Sequence, residues 1–511
     1  MKKALPLIIL LSGLLAVCLY LIFGRGGSSK TRVRETRVQE ARIPESRIQN
    51  GAVAGEASKM SSFGADIDAY YRLLRLPFLA VGVARGDSLL FFKGAGSINS
   101  AGNNPPTADH VFPIGSLTNA FIAVALKQME GEGKLSLQDP VSSFPNEYFT
   151  ENRQDRQTTL ANIISHTSES EPQGTQFVYN VHRFNVVFNT FKTLPRKIQN
   201  RILTPLQMDN TLLRFTEKEH GHLNPDSLRS GTDFVMMSSV NDLVSYSASL
   251  GRNKLLTARQ YEELTTPFYP GSPYGQGWFT TRFEGTDIHW VYGCGDNDAT
   301  LLLRAPSSEL TLVIHAPSMF PLAAKRLGYG NPFNSMLVCS FFRNFVQETS
   351  VNSRLPVEEK FAKAVADTAR TSQLLQSLMS EFPTDTIWQT PTAFELMAAS
   401  NNRAIRRFGL KMADNYVRQN HVHPVKAWYA GLIFEQNGKR DEAMASFEAL
   451  GWGDQYREQP YKFNAMMKLV KRYKFLAPRH AKEILQDLIR YKEHIGVNDR
   501  QYKEARQMLE D

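Results

Sequence analysis

Ser116 sits behind a small-residue turn at Gly115 and ahead of an apolar run: Phe121, Ile122, Val124, Ala125, Leu126 and Met129. If that run is a helix, residue 119 lies one turn on from Ser116 and on the same face. This is the spacing of a serine nucleophile and its base, because a neutral hydroxyl attacks only as an adjacent group takes its proton. The residue found there is Asn119, whose amide has no basic site. Ser116 therefore has two readings, a residual nucleophile or a serine kept as a helix cap, a position serine favours. Cys294 carries a thiol, but nothing beside it in the chain resembles an activating histidine or cation.

Those residues need elements to position them. The alternation in "FLAVGVARGDSLLFFKGAG" (78–96) predicts two strands around an Arg85-Gly86-Asp87 turn. Helical periodicity covers 116–134, 158–166 and 182–201, and "NDLVSYSASL" (241–250) reads as a helix capped by Asn241 or Ser239. Strands are expected again at 274–283, 299–306 and 310–317. Outer strands around a helical middle predict an α+β domain whose sheet is closed by its own two ends. From about 351 to 511 the chain reads as helical throughout. Within it, Gly431, Phe434, Gly438, Ala443 and Phe447 fall at the spacing of a tetratricopeptide helix pair; a plain helical bundle is the rival reading.

Composition bounds the rest. The 511 residues are 42% apolar and 21% charged, ordinary for globular domains. The net charge of +9 is concentrated near the N-terminus: residues 24–50 hold seven Lys or Arg against three Glu. No folded basic face is evident, so nucleic acid is not an expected partner. Residues 4–23 carry no charge, long enough to cross a bilayer. A secretory signal is the other reading, but the stretch is long for one and lacks a clean cleavage site. An uncleaved single-pass anchor is therefore expected. The basic flank downstream of it conflicts with the positive-inside rule for a body outside the cytoplasm. In residues 31–50, "TRVRE TRVQE ARIPE SRIQN" repeats every five residues, a period that builds no apolar face. It reads as a charged spacer. The three cysteines, Cys18, Cys294 and Cys339, have no metal-binding spacing, and no cofactor is expected. Cys294 and Cys339 are either a pair or, more simply, free thiols.

Residues 77–345 resemble the serine β-lactamase and penicillin-binding family, in its class C-like branch that includes esterases and D-amino-acid peptidases. "FPIGSLTNAFIAVALKQMEGEGKLSLQDPV" is similar to the segment around that family's nucleophile. "TLANIISHTSE", "TPLQMDNT", "SSVNDLVSYSASL" and "YGQGW" are similar to further family segments, in family order. The resemblance implies a β-lactamase/transpeptidase-like domain. It also implies three catalytic motifs, and all three are altered. In Ser-x-x-Lys, Ser116 stays and Asn119 replaces lysine. In Tyr-x-Asn, Tyr179 stays and Val181 takes the asparagine place; the resemblance implies Tyr179 as a candidate base, with packing as its rival, although an unperturbed phenol titrates near about pH 10. In Lys/His-x-Gly, Gly293 and Gly295 flank Cys294 and no cation is present. His166 falls at a structural position of the family pattern. The third motif recognises substrate carboxylates, so anionic substrates are expected to bind poorly. The link from His166 to Tyr179 is short for the family, implying a pared-down cleft.

The expected organisation is an anchor at 1–23, a charged linker at 24–59, a β-lactamase-like domain at 60–350 and a helical, tetratricopeptide-like domain at 351–511. The expected function is a membrane-anchored, extracytoplasmic binding or scaffold module with impaired catalysis, Ser116, Tyr179 and Asn119 in the catalytic place and Gly293, Cys294 and Gly295 lining the cleft. A peptide or cell-wall ligand is expected in the cleft and a protein partner on residues 351–511. The alternative is a weak serine hydrolase, an esterase, amidase or peptidase with Ser116 as nucleophile.

Overall fold

Strands β1 (Phe78–Arg85) and β2 (Ser88–Gly96) form the expected hairpin, with Gly86 at φ +58 in the turn. The computed structural model describes residues 50–510, apart from 100–101, 145–156, 169–171, 181, 192, 215–234, 295–297, 319–323, 348–351, 420–422, 452–459 and 491–498. The apolar span 4–23, the five-residue repeat, Val181 and Gly295 lie outside the described residues. Helix α1 (Asn50–Leu73) already begins inside the stretch expected as linker. Among the described residues no helix is long and apolar enough to cross a membrane.

The main sheet has six strands in the order β2-β1-β9-β8-β7-β6, all antiparallel, where β6 is Phe279–Phe283, β7 Thr286–Cys294, β8 Ala299–Ala305 and β9 Leu310–Ala316. Pairing of Ala80 with His315 and Val81 with Ile314 joins the two ends of the domain, as the outer-strand pattern predicts. Every residue of β8 and β9 is buried, because both faces of the sheet are covered and side chains alternate between them. Leu302 and Val313 enter the core with helix α2 (Thr118–Gly131), while Leu301, Leu303, Leu312 and Ile314 meet Phe63, Ile67 and Tyr70 of α1 on the other face.

A small second sheet, in the order β3-β5-β4 with β3 Phe112–Pro113, β4 Leu212–Arg214 and β5 Val235–Ser238, supports the approach to Ser116. Its strands are two to four residues long, too short to leave an alternation in the sequence. Helix α3 (Val240–Gly251) is capped by Ser239, whose hydroxyl accepts from the Asp242 N–H. The helix expected over 182–201 is divided into His182–Thr190 and Leu194–Ile198, with Pro195 favoured in the first turn of the second piece. The strand expected over 274–283 begins only at Phe279; Gly277, at φ +89 against Ala123, holds the preceding residues in a turn.

Residues Leu355–Glu510 are helical with short connections among the described residues. The helix Leu355–Ala366 has two apolar faces. Leu355, Ala362 and Ala366 join the sheet core, while Val357, Phe361, Ala364 and Val365 join the core of the following helices. Helices α4 (Pro424–Gln436) and α5 (Arg440–Gly451) pack tightly where Gly431 meets Phe447; a Cβ on Gly431 would lie 2.4 Å from the ring. Helices α6 (Pro460–Leu476) and α7 (Pro478–Arg490) follow.

Candidate active site

The loop bearing Ser116 is gripped from both sheets. The Ile114 N–H donates to Met236 O of β5 at 3.0 Å, and the Thr300 hydroxyl of β8 donates to Pro113 O at 3.0 Å. Gly115 adopts φ +48, and a Cβ there would lie 3.0 Å from the backbone nitrogen of Cys294. Residues Gly115–Leu117 form one 3-10 turn that runs into α2. Ser116 is half-buried and Asn119, one turn on, is buried.

Strand β7 presses on this turn. A Cβ on Gly293 would lie 1.8 Å from Ile114 O and 2.7 Å from Ser116 N. Only a glycine fits that approach, which fits Gly293 to the glycine place of the third motif. The residue two before it on a strand shares its face. That residue is Val291, buried with Leu117 and Ala120, and with Gly293 in the glycine place it takes the place of the family cation. The site thus has an apolar side chain where the family pattern puts a charge.

Tyr179 reaches Ser116 from the other side. His166, at φ +54, holds its segment in two places: its carbonyl accepts from the Val178 N–H at 2.8 Å, and its Nδ1 accepts from the Asn180 N–H at 3.2 Å. The Phe177 N–H donates to the Tyr269 hydroxyl at 2.8 Å. Held this way, the Tyr179 hydroxyl lies close enough to the Ser116 side chain and to Tyr292 for both to act on its ionisation. The rings of Tyr179 and Tyr292 stack with centroids 5.7 Å apart. His166 is neutral: burial pushes its pKa down to about 3, and its ring packs 4.4 Å from that of Tyr179. It positions the tyrosine, in keeping with the structural place the family pattern gives it.

The electrostatics oppose proton transfer. Burial pushes the Tyr179 phenol well above its ordinary value, and the neighbouring Ser116 side chain offsets this only in part. The nearby Cys294 thiol raises it further, and among the described residues no cation acts on it. Lys127 is about three turns along α2 from Ser116, and its ammonium is held by Glu130 at 2.7 Å and Glu263 at 2.6 Å. Neither Cys294 nor Cys339 is in a disulfide; Cys339 is buried and Cys294 half-buried. Ser116, Tyr179, Gly293 and Cys294 therefore converge, and Asn119 is buried in the first turn of α2. Two contributors escaped the sequence reading, Tyr292 and Val291. Tyr292 stands directly before Gly293, and only fixing the register of that glycine assigns either residue a place.

An antiparallel sheet covered on both faces, with a serine turn feeding a buried helix beneath one strand, is a β-lactamase/transpeptidase-like α+β fold. The chain belongs to the Beta-lactamase family, whose model matches residues 67–327. Similar solved structures include the octameric penicillin-binding protein homologue from Pyrococcus abyssi, 18% identical, covering 56% of this chain and 82% of that one, with a TM-score of 0.43. The D-amino acid amidase from Ochrobactrum anthropi SV3 is 16% identical over 51% of this chain and 92% of its own, with a TM-score of 0.40. The penicillin binding protein from Bacillus halodurans is 16% identical over 50% and 95%, with a TM-score of 0.41. No curated protein matches the chain.

Proposed function

We propose that this protein is a catalytically impaired member of its family, a membrane-anchored, extracytoplasmic binding or scaffold module. The observation that carries the reading is the environment of Ser116: it faces a tyrosine whose phenol burial pushes up, and among the described residues no cation acts on that tyrosine. A positioned base contributes about 10²–10⁴-fold to rate, and Asn119 supplies none. In this reading residues 4–23 anchor the chain, 24–59 link it, 60–350 form the family domain and 351–511 a tetratricopeptide-like module that docks a protein partner. The close crossing at Gly431 and Phe447 supports the last element. The cleft takes a peptide or cell-wall ligand without relying on a carboxylate, since Val291 offers an anion nothing.

The closeness of the Ser116 side chain to the Tyr179 hydroxyl favours one second reading, a weak esterase, amidase or peptidase. Turnover of a p-nitrophenyl ester by the full chain separates the two. The impaired module is expected to hydrolyse it no faster than Ser116→Ala. A rate clearly above that variant supports the hydrolase instead.

A further inference from the structure

Helix α6 and the start of α7 are one-sided in charge. From Pro460 to Lys482 there are seven Lys or Arg and no Asp or Glu. The helices are joined at Ala477, and just before it Phe475 is 85% exposed and Leu476 63% exposed. Among the described residues these are the two most exposed of the large apolar side chains. Lys471, Arg472, Lys474 and Arg479 around them are exposed as well. Arg472 and Lys474 have no ion pair among the described residues, while Lys471 and Arg479 make only loose ones, 3.8 Å to Glu504 and 3.6 Å to Glu483. The buried faces of the same helices carry Phe463, Met466, Leu469 and Val470, then Ile484, Leu485 and Leu488. The exposed apolar pair is therefore additional to a core that is already filled.

We propose that this corner docks on an anionic phospholipid bilayer. An aromatic and an aliphatic side chain reach the boundary of the acyl chains while the flanking cations meet the headgroups, the division of labour of an interfacial helix. The proposal rests on the reading of residues 4–23 as an anchor. The tether from residue 24 to 49 spans at most about 90 Å when extended, and it holds the corner at high effective concentration beside the bilayer, so a weak surface affinity suffices. The N-terminal linker is itself basic and is not a competing occupant.

The test reads amide hydrogen exchange over residues 471–482 of the full chain in lipid nanodiscs, either pure phosphatidylcholine or phosphatidylcholine with phosphatidylglycerol. Slower exchange is expected in the anionic discs alone. It should be lost in Phe475→Ser/Leu476→Ser, and in Lys471→Glu/Arg472→Glu/Lys474→Glu, where partitioning falls about 100-fold or more. Both variants change exposed positions, and unchanged thermal unfolding shows that they fold. Identical exchange in the two kinds of disc overturns the proposal. So does protection that grows with protein concentration whatever the lipid, which marks a second copy as the occupant. If the chain does not enter discs, the anchor reading fails. Phosphatidylglycerol vesicles then decide the docking by itself: protection of 471–482 sustains it, and none overturns it.

Discussion

Gly293→Ala is expected to destabilise the protein by about 3 kcal/mol or more, at or above the usual range for forcing a methyl group into a packed interior. The reason is that neither wall can yield. The added carbon would lie 1.8 Å from Ile114 O and 2.7 Å from Ser116 N, and both are backbone atoms. The loop that carries them is tied to β5 through Ile114 and to β8 through Pro113. The strand is fixed in turn by pairing of Gly293 with Thr300 and Cys294 with Ala299. Relief requires β7 to move off the Ser116 turn, which also separates Tyr292 from Tyr179. Gly102→Ala is the control. Nothing lies within 4 Å of a Cβ there, so its effect should stay within about 0.5 kcal/mol. Chemical denaturation of both variants, compared by midpoint, checks the difference.

Asn119→Lys is expected to raise the rate of covalent labelling of Ser116 by a fluorophosphonate, by about 10²–10⁴-fold. Residue 119 is one helical turn from Ser116 and buried, so an ammonium there is held in apolar surroundings. Burial disfavours its charged form and lowers its pKa toward neutrality, which makes it a base at the right place. Asn119→Met has a similar length without a basic nitrogen, so it should give no gain. Anionic substrates should still bind poorly in Asn119→Lys, because Val291 remains in the place of the second cation. If labelling stays flat in Asn119→Lys while the variant is folded, the missing base is not what limits Ser116.

The parts of the fold that were legible in the sequence are those with a period. The β1–β2 hairpin, the long strands β8 and β9, helix α2 and the α4–α5 pair all announce themselves by alternation or helical spacing. The second sheet does not, because its strands are too short to show a period and exist only by pairing with one another. The break in the helix over 182–201 was marked by Pro195 and still reads as continuous when only apolar spacing is followed. At the site, Ser116, Tyr179 and Gly293 were visible by type and order. Tyr292 and Val291 were not, since their roles depend on which strand residue faces Ser116. A shift of one residue exchanges the two faces. The clasp by His166 was hidden for another reason: it runs through a backbone carbonyl and a ring nitrogen to backbone N–H groups, and no residue type at those positions betrays it.

The central claim is that Ser116 is not an activated nucleophile in this protein. The most direct test is mass spectrometry of the unmodified full chain after exposure to a fluorophosphonate, with Ser116→Ala treated alongside. The account predicts no adduct on Ser116. An adduct there that is absent from Ser116→Ala would contradict it, and would require a base that reaches Ser116 from outside the three motifs.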